Sequence, residues 1–501
     1  MKIASVVVVV LGVVACSPGP TSADTDSGTS DAMTGTGVEP TTSASSGPPV
    51  PENCPAGDVL LVSQADVMAL ADCPEVSGTL TITGNVTDLS PLIHLHRVTG
   101  TLHIGPDDTY DAPPLGSLTG LEGLESVGGL ELLGLENLAS IEALTGLTGI
   151  PGDMRLYGLP KLGSLAGLEN VEEIGGRCSV GDCMNVMDLA GLASLRRAGN
   201  GFSVSKTQVV DLHGLEALTE IGELGGETSN VFIDDNDELL TLDGLDAVLW
   251  HDKLGLTLNS NDRLTDIGAL AGANELASLS LRDDIDLTSL AGLESLTSVA
   301  GIFELVHNTQ LGDLGALGKL QSVGELGILG EQSFDNLAPL SALTTAGKIY
   351  VVFSNIVEIG PLPALSEVDS LSLVSNLSLG DLKGLGALKT VTDSLTIDKS
   401  GIQTIDDLVS LTSVGGDLVI VRNAFLPQDA TAQWGAALDV GGTRKIAGNM
   451  GAEAPADPCP WTDDGVCDED LGICAGGSDP ADCFRAGDPL FAVEALWDPS
   501  A

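Results

Sequence analysis

The sequence contains few basic and few aromatic residues. Lys and Arg number 20 against 71 Asp and Glu, which gives a formal net charge of −51 over 501 residues. A chain of this charge repels the phosphates of nucleic acids and of anionic membrane surfaces, so a function that reads phosphate is excluded. Aromatic residues make up only 3% although 43% of residues are hydrophobic. This composition excludes a wholly disordered acidic polymer and favours many small, similar layers over one bulky core.

Long apolar runs are also absent. The longest, Ile3 to Ala15, has 13 residues, which is too short for a bilayer core of about 30 Å, so residues 1–15 are predicted to be a signal peptide. It ends Val13-Val14-Ala15-Cys16-Ser17, which resembles the lipobox of bacterial lipoproteins. The resemblance implies lipidation of Cys16, palmitate included, and anchoring in the outer membrane, with the rest exposed at the cell surface. The alternative is an ordinary signal peptide with a chance Cys.

Composition divides the rest of the chain into a tether, a long repetitive segment and a Cys-rich end. Residues 16–52 are mainly Ser, Thr, Gly, Pro, Asp and Ala. Such a segment buries too little apolar surface to fold, so we predict a disordered tether. The further predicted segments are an N-terminal cap at 53–75, repeats at 76–426, a linker or C-terminal cap at 427–457, a Cys-rich acidic module at 458–484 and a tail at 485–501.

A repeat, mostly of 21 to 25 residues, fills the segment 76–426. After Leu305, for example, apolar residues recur at every third position from Leu311 to Val323. This spacing fits neither a helix face nor an extended strand, and it predicts a coil with several inward contacts. We define the origin of each unit as the residue equivalent to Leu305. The fifteen origins are Ile82, Ile104, Leu132, Leu156, Val180, Val204, Ile233, Leu258, Leu281, Leu305, Ile328, Val352, Leu373, Ile397 and Ile420.

Each origin ends a short β pattern such as Thr79 to Ile82, in which alternation turns Leu80 and Ile82 inward. Glycines before the strand, as in Gly128-Gly129 and Gly415-Gly416, are expected to adopt positive φ at one corner. An Asn recurs three residues after the origin, and a buried Asn there can bond backbone groups that a corner leaves unpaired. These residues are Asn85, Asn236, Asn261, Asn308, Asn355, Asn376 and Asn423.

The repeat resembles a leucine-rich repeat, and its opening resembles a receptor L domain. The residues that carry the second resemblance are Cys54-Pro55-Ala56-Gly57-Asp58, Val62 to Leu70 and Cys73 to Ile82. It implies a mainly β fold, a right-handed parallel β-solenoid, with a Cys54–Cys73 disulfide that holds a short helix over the first coil. Two tandem L domains meeting near 221–256 are the alternative to one solenoid. L domains of receptors bind protein ligands, but no binding residue of the family transfers here.

Eight cysteines remain besides Cys16, an even number that suits disulfides in an oxidising compartment. Cys178 and Cys183 are either a short disulfide loop or two buried free thiols. The other four, Cys459, Cys467, Cys474 and Cys483, belong to the tail module and permit three pairings.

That module resembles part of a Notch-type repeat through Asp-Gly-x-Cys-Asp at 464–468 and Asp-x-x-Asp-Cys at 479–483. The resemblance implies a calcium ion held by oxygen ligands, although a Notch-type repeat has six Cys and this module has four. A disulfide cap with solvated acids is the alternative. No cofactor is required otherwise. The implied calcium ligands are Asp463, Asp464, Asp468, Asp479 and Asp482.

Nothing in the sequence indicates an active site, so we predict a protein that is not an enzyme. Gly-x-Ser-x-Gly, His-Glu-x-x-His and P-loop motifs are absent. His94, His96 and His103 lack the partners of a metal site and are expected at the surface. A polysaccharide-active β-helix enzyme would need bases beside carboxylates on the sheet, whereas Arg155 and Arg282 lie five coils apart, roughly 24 Å.

The outward strand positions become apolar in the last third of the repeats, whereas those nearer the start are mostly polar. Such a stripe is either a partner site or a surface that a later segment covers. We predict a cell-surface recognition or adhesion scaffold that binds a protein or glycan through the sheet face, with a passive envelope component as the rival interpretation. The predicted binding residues are Val306, Leu329, Val351, Phe353, Val374, Val419 and Val421.

Overall fold

The computed structural model of the chain describes residues 54–223 and 226–451. These residues belong to one compact unit, Val50–Ala501, and none of their helices is both long and apolar enough to span a bilayer. The signal peptide with Cys16, the tether, the four cysteines of the tail module and the five aspartates proposed for calcium lie outside the described residues.

The described residues form mainly short β-strands. Their bounds are β1 Val59–Leu61, β2 Glu75–Val76, β3 Leu80–Ile82, β4 Arg97–Ile104, β5 Ser126–Leu133, β6 Gly149–Ile150, β7 Met154–Tyr157, β8 Glu173–Ile174, β9 Cys178–Gly181, β10 Arg197–Ala198, β11 Phe202–Ser205, β12 Glu220–Ile221, β13 Ser229–Asp234, β14 Leu254–Asn259, β15 Glu275–Leu276, β16 Ser278–Arg282, β17 Ser298–Val306, β18 Ser322–Leu329, β19 Thr345–Val352, β20 Glu367–Val374, β21 Thr390–Val391, β22 Leu395–Asp398, β23 Ser413–Val414, β24 Leu418–Val421, β25 Asp439–Val440 and β26 Arg444–Ala447.

The helices are short. Within the described ranges two are α-helical, α1 Gln64–Ala69 and α2 Gln428–Ala437, and the rest are 3-10 turns. The 3-10 segments are Ser90–Leu92, Glu142–Leu144, Ala190–Leu192, Gly268–Leu270, Gly315–Lys319, Ala338–Ala342 and Lys383–Leu385.

One parallel sheet runs through the repeats. Every strand pairs in parallel with its counterpart in the next coil, in the order β1, β3, β4, β5, β7, β9, β11, β13, β14, β16, β17, β18, β19, β20, β22, β24, β26. We call this the main sheet. It continues without a break through β11, β13 and β14. The described residues therefore form a parallel β-solenoid, as predicted.

The leucine ladder forms the core. In the coil of Leu305, the residues Leu311, Leu314, Leu317 and Leu320 are buried, and the equivalent positions of the other coils are largely buried too. Burying one such side chain contributes roughly 1.5–3 kcal/mol. A single coil cannot bury its ladder alone, so neighbouring coils stabilise one another.

Most of the predicted asparagines form a buried ladder beside the main sheet. Asn236, Asn261, Asn308, Asn376 and Asn423 are fully buried. Asn261 is typical, since its side chain donates to the carbonyl of Ile233 in the preceding coil, at 2.8 Å. The prediction is wrong for Asn85 and Asn355, which are exposed. In the first of these coils Thr83 is the buried polar residue, and its hydroxyl donates to the carbonyl of Asp111.

The predicted register is wrong by one residue in β19. Val351, not Val352, pairs with Ile328 and Leu373 and is fully buried, so Val351 is the origin of this coil. The strand and its end read Ile349-Tyr350-Val351-Val352-Phe353. Whether the odd-numbered or the even-numbered residues of this stretch point inward, the inward side chains are apolar or aromatic, so the pattern does not choose between the two registers. A shift of one residue exchanges the two faces of a strand. The same shift explains the exposed Asn355.

The glycines before the strands are required by close approach and not by positive φ. Neither Gly128 nor Gly415 has a positive φ. A Cβ at Gly128 would lie 2.3 Å from the carbonyl oxygen of Thr99, and one at Gly415 would lie 2.1 Å from that of Thr392. The non-glycine residues with positive φ lie two residues after the origin instead, as Asp283 and His307 do.

Both ends of the described solenoid carry a cap. Cys54 and Cys73 form a disulfide around α1, as the receptor L-domain resemblance implies. At the other end, Gly435 of α2 lies against the side chains of Ile446 and Leu418. The disulfide considered for Cys178 and Cys183 is absent, and both thiols are free and buried. Cys178 aligns with Met154 and Phe202 on the neighbouring strands, so its side chain packs in the core.

Candidate functional site

The candidate site lies on the face of the main sheet that points away from the core, in strands β16 to β20. On this outer face stand the residues immediately before and after each origin, because successive side chains of a strand point to opposite sides. Two neighbouring groups of side chains occupy it, a charged cluster and an apolar stripe.

The charged cluster is built around Glu304. Its carboxylate accepts hydrogen bonds from the Arg282 guanidinium, at 2.8 Å from Nε and 2.5 Å from Nη2, and from the Ser280 hydroxyl at 2.7 Å. The side chain of Glu304 is only 8% exposed, whereas that of Arg282 is 40% exposed. A buried carboxylate without such partners would be costly, so the hydrogen bonds from Arg282 and Ser280 offset the burial of Glu304 on this face.

Tyr350 covers the next part of the cluster. Its strand position aligns with Gly327, which in turn aligns with Glu304. A Cβ at Gly327 would lie 2.4 Å from Cε2 of the Tyr350 ring, so the missing side chain leaves the room in which the ring lies. Burial raises the pKa of Tyr350 well above its ordinary value, and Glu304 and Glu325 add to this. The phenol is therefore neutral at physiological pH.

The apolar stripe consists of Val306, Leu329, Val352 and Val374. These residues align on consecutive strands directly after the origins. Val306 is nearly buried and the other three are partly exposed. The stripe ends at Asp398, which aligns with Val374 on the next strand.

The remaining predicted binding residues do not join this stripe. Val351 is core, and Phe353 lies beyond the end of β19 in a turn with φ of +52°. Val421 resumes the column after Asp398 but is buried. Val419 stands in the neighbouring column, where it aligns with Thr396 and Lys445. Four residues of the candidate site, Arg282, Glu304, Gly327 and Tyr350, are absent from the predicted set.

An ion pair closes the stripe at its C-terminal side. The guanidinium of Arg422 binds the carboxylate of Asp398 through Nε at 2.9 Å and also through Nη2. Both side chains are partly or largely buried. Helix α2 contacts the core side of β24 and β26, so it does not cover the stripe.

A second polar group lies near the start of the sheet. His103 Nδ1 is 2.9 Å from Glu131 Oε2, and Glu131 also binds Arg155 at 3.3 Å. The hydrogen bond with Glu131 raises the pKa of His103, and the same bond lowers the pKa of Glu131. His96 does not belong to this group, and its Nδ1 is instead hydrogen-bonded to the carbonyl of Gly123. Within residues 54–223 and 226–451 no group of three or more His, Cys, Asp or Glu side chains is arranged to hold a metal ion.

Comparison with known proteins yields solved structures only. No protein-family model and no curated protein sequence matches the chain. An internalin from Listeria monocytogenes is similar over 64% of this chain and 88% of its own, with 19% identity and a TM-score of 0.39. The TLR13 structure, a complex with ssRNA13, covers 81% of this chain and 73% of its own, with 15% identity and a TM-score of 0.29. At these values neither similarity carries an argument about ligand or function.

Proposed function

We propose that the protein is a recognition scaffold that binds a protein partner through the outer face of strands β16 to β20. The observation that carries this proposal is the pairing of a partly exposed apolar stripe, Leu329, Val352 and Val374, with a fixed charge at Arg282. Apolar surface grouped in this way is typical of protein interaction sites. A rigid parallel sheet also holds it in one shape, which lowers the entropy cost of binding.

The charge of the site fits a partner with a carboxylate beside an apolar ridge. Glu304 is buried beneath the cluster while Arg282 keeps 40% of its side chain exposed. The face therefore presents a cation to solvent in a chain whose formal charge is −51. A partner carboxylate at Arg282 would meet a complementary charge, and repulsion by the rest of the chain would disfavour acidic partners that dock elsewhere.

The location and the absence of catalysis are part of the same proposal. The apolar run up to Ala15, followed by Cys16, supports an exported lipoprotein anchored at the outer membrane, and the tether would hold the solenoid away from the lipid. The outer-face cluster contains a buried ion pair and a neutral phenol, without an activated nucleophile. We propose a scaffold that binds a partner and does not catalyse a reaction, with no requirement for a cofactor or a nucleic acid.

Surface cross-linking with the full-length protein tests this function. The partner captured by the unaltered chain should be lost with the double variant Leu329→Asp/Val374→Asp, because two carboxylates would break the apolar contact. The matched control is Thr81→Asp/Thr257→Asp, which adds the same charge on outer-face positions of the polar part and should retain the partner. Circular dichroism must show an unchanged β signal in both variants. Equal capture by all three proteins would refute the proposal.

A further inference from the structure

The buried asparagine ladder does two things at each of its positions. The side-chain oxygen of Asn261 accepts hydrogen bonds from the backbone N–H and the amide group of Asn236, both at 3.3 Å. Its amide nitrogen donates to the carbonyl of Ile233, the origin of the preceding coil. Asn308 likewise donates to the carbonyl of Leu281, at 2.9 Å. The side chain at each position of the ladder therefore accepts hydrogen bonds from the ladder residue of the preceding coil and donates one to the origin carbonyl of that coil.

Two positions of this ladder hold carboxyl groups in place of amides. Asp284 Oδ1 accepts from the backbone N–H and the amide of Asn261, at 2.9 and 3.1 Å. Glu331 Oε1 accepts from the same two groups of Asn308, at 2.9 and 3.0 Å. Both residues are fully buried. Among the described residues, the second oxygens, Asp284 Oδ2 and Glu331 Oε2, are buried and lack a hydrogen-bond partner.

The other polar positions of the ladder from Asn236 onward supply a donor for the preceding coil. Ser400 donates through its hydroxyl to the carbonyl of Leu373 at 3.2 Å, and Ser354 does so to Ile328 at 3.4 Å. The equivalent carbonyls for Asp284 and Glu331 are those of Leu258 and Leu305, which align with their own origins. An ionised carboxylate has no proton to donate there, whereas a carboxylic acid has one.

We propose that Asp284 and Glu331 are protonated in the folded protein, and that each donates its proton to the origin carbonyl of the preceding coil, as the asparagine amides do. A neutral carboxyl group has one accepting oxygen and one donating hydroxyl, so it reproduces both roles of the amide. At mildly acidic pH the solenoid therefore binds two protons when it folds. These protons lie at the ends of β16 and β18, two residues beyond Arg282 and Leu329 of the candidate site.

The charges around the two carboxyl groups agree with this assignment. The pKa of Asp284 is raised to about 7, mainly by burial and also by the neighbouring Asp283 and Asp234, against the hydrogen bonds from Asn261, which lower it. The pKa of Glu331 is also raised to about 7, mainly by burial, against the hydrogen bonds from Asn308, which lower it. Asp283 also raises the pKa of Glu331, and His307 lowers it. His307 is itself paired with Asp283, at 3.4 Å, which offsets part of its charge.

The pH dependence follows from the direction of these shifts. In the unfolded chain the two carboxyl groups ionise near pH 4, whereas in the folded chain they ionise near pH 7. Their contribution to stability is therefore complete below about pH 4 and is lost as the pH rises to about 7. Mildly acidic conditions stabilise the coils that carry the candidate site.

The test measures the melting temperature of the full-length protein at pH 5 and pH 8, alone and with Asp284→Asn, Glu331→Gln or both. The amide variants carry a permanent donor. We expect them to melt at or near the unaltered protein's temperature at pH 5 and above it at pH 8, with the larger gain in the double variant. Gains that are equal at both pH values, or losses at pH 8, would overturn the proposal.

Two further variants separate the proposed role from a general effect of charge. Asp108→Asn removes a carboxylate from the exposed loop after β4 and should leave the difference between pH 5 and pH 8 unchanged. Asn308→Asp adds a third acid to the ladder and should lower the melting temperature more at pH 8 than at pH 5. Infrared difference spectra at pH 6 provide a direct readout, because the neutral carboxyl band should lose intensity in the double variant. Asp234, whose pKa burial raises to about 6, contributes to this band in every variant, so the test is the loss of intensity, and a band of unchanged intensity in the double variant would contradict the assignment.

Discussion

The exposed guanidinium of Arg282 and the buried carboxylate of Glu304 lie on adjacent strands of the main sheet, joined by two hydrogen bonds. The pair lies on the outer face of a sheet whose other face is the leucine core. Because Glu304 is nearly inaccessible, removal of its partner leaves a desolvated charge that water cannot reach fully. The same two residues therefore affect both the stability of the coils and the charge offered to a partner.

We expect Arg282→Met to lower the free energy of unfolding by about 1–3 kcal/mol, the cost of leaving a buried charged group without its partner. Urea denaturation at pH 8 measures this loss. The loss should be smaller in the double variant Arg282→Met/Glu304→Gln, because the amide removes the stranded charge and can still accept from Ser280. Additive effects of the two substitutions would show that the residues do not interact.

Much of the fold can be predicted because burial imposes a period on the sequence. Leucines at every third position locate the coils, and the alternation in Thr79 to Ile82 identifies a strand. The prediction fails where the pattern is ambiguous, as in Ile349 to Phe353, where five consecutive residues are large and apolar or aromatic. There the register depends on pairing with β18 and β20, which a local pattern does not contain.

The candidate site is harder to predict than the fold. In a chain with 71 acidic residues, Glu304 looks like one more solvated carboxylate, and only its neighbour on the adjacent strand makes it distinctive. A signal does exist, because Arg282 precedes Glu304 by about one repeat length. Asp284 and Glu331 also occupy the position at which Asn recurs in other coils. Aligning the repeats by origin would identify all of these residues.

Cys178 and Cys183 should resist alkylation in the folded protein. Burial raises the pKa of the Cys178 thiol to about 12 and that of Cys183 to about 11, so neither forms the reactive thiolate near neutral pH. Treatment with iodoacetamide at pH 8 and peptide mass spectrometry should find both unmodified. In urea without reductant both should become fully modified. Peptides that require a reductant before they react would reveal a disulfide and contradict the free thiols seen here.

Gly167 tests the packing between consecutive coils. Its φ is +115°, and a Cβ would lie 2.2 Å from the carbonyl oxygen of Ile141. Its N–H also donates to the carboxylate of Glu169 at 2.8 Å, which fixes this turn. A side chain here meets both an unfavourable backbone conformation and a backbone atom that cannot move aside without shifting the neighbouring coil.

Gly167→Ala should therefore lower the free energy of unfolding by about 1–3 kcal/mol, the usual cost of a residue held in a sparsely populated conformation, with the clash adding to it. Gly163→Ala is the matched control in the same coil, since its φ is outside the positive region and a Cβ there would meet nothing within 4 Å. That substitution should be neutral or slightly stabilising, because it restricts only the unfolded chain. Urea denaturation of the two variants side by side measures the difference. Equal stability would mean that the coils are not held as closely at this turn as the Gly167 geometry requires.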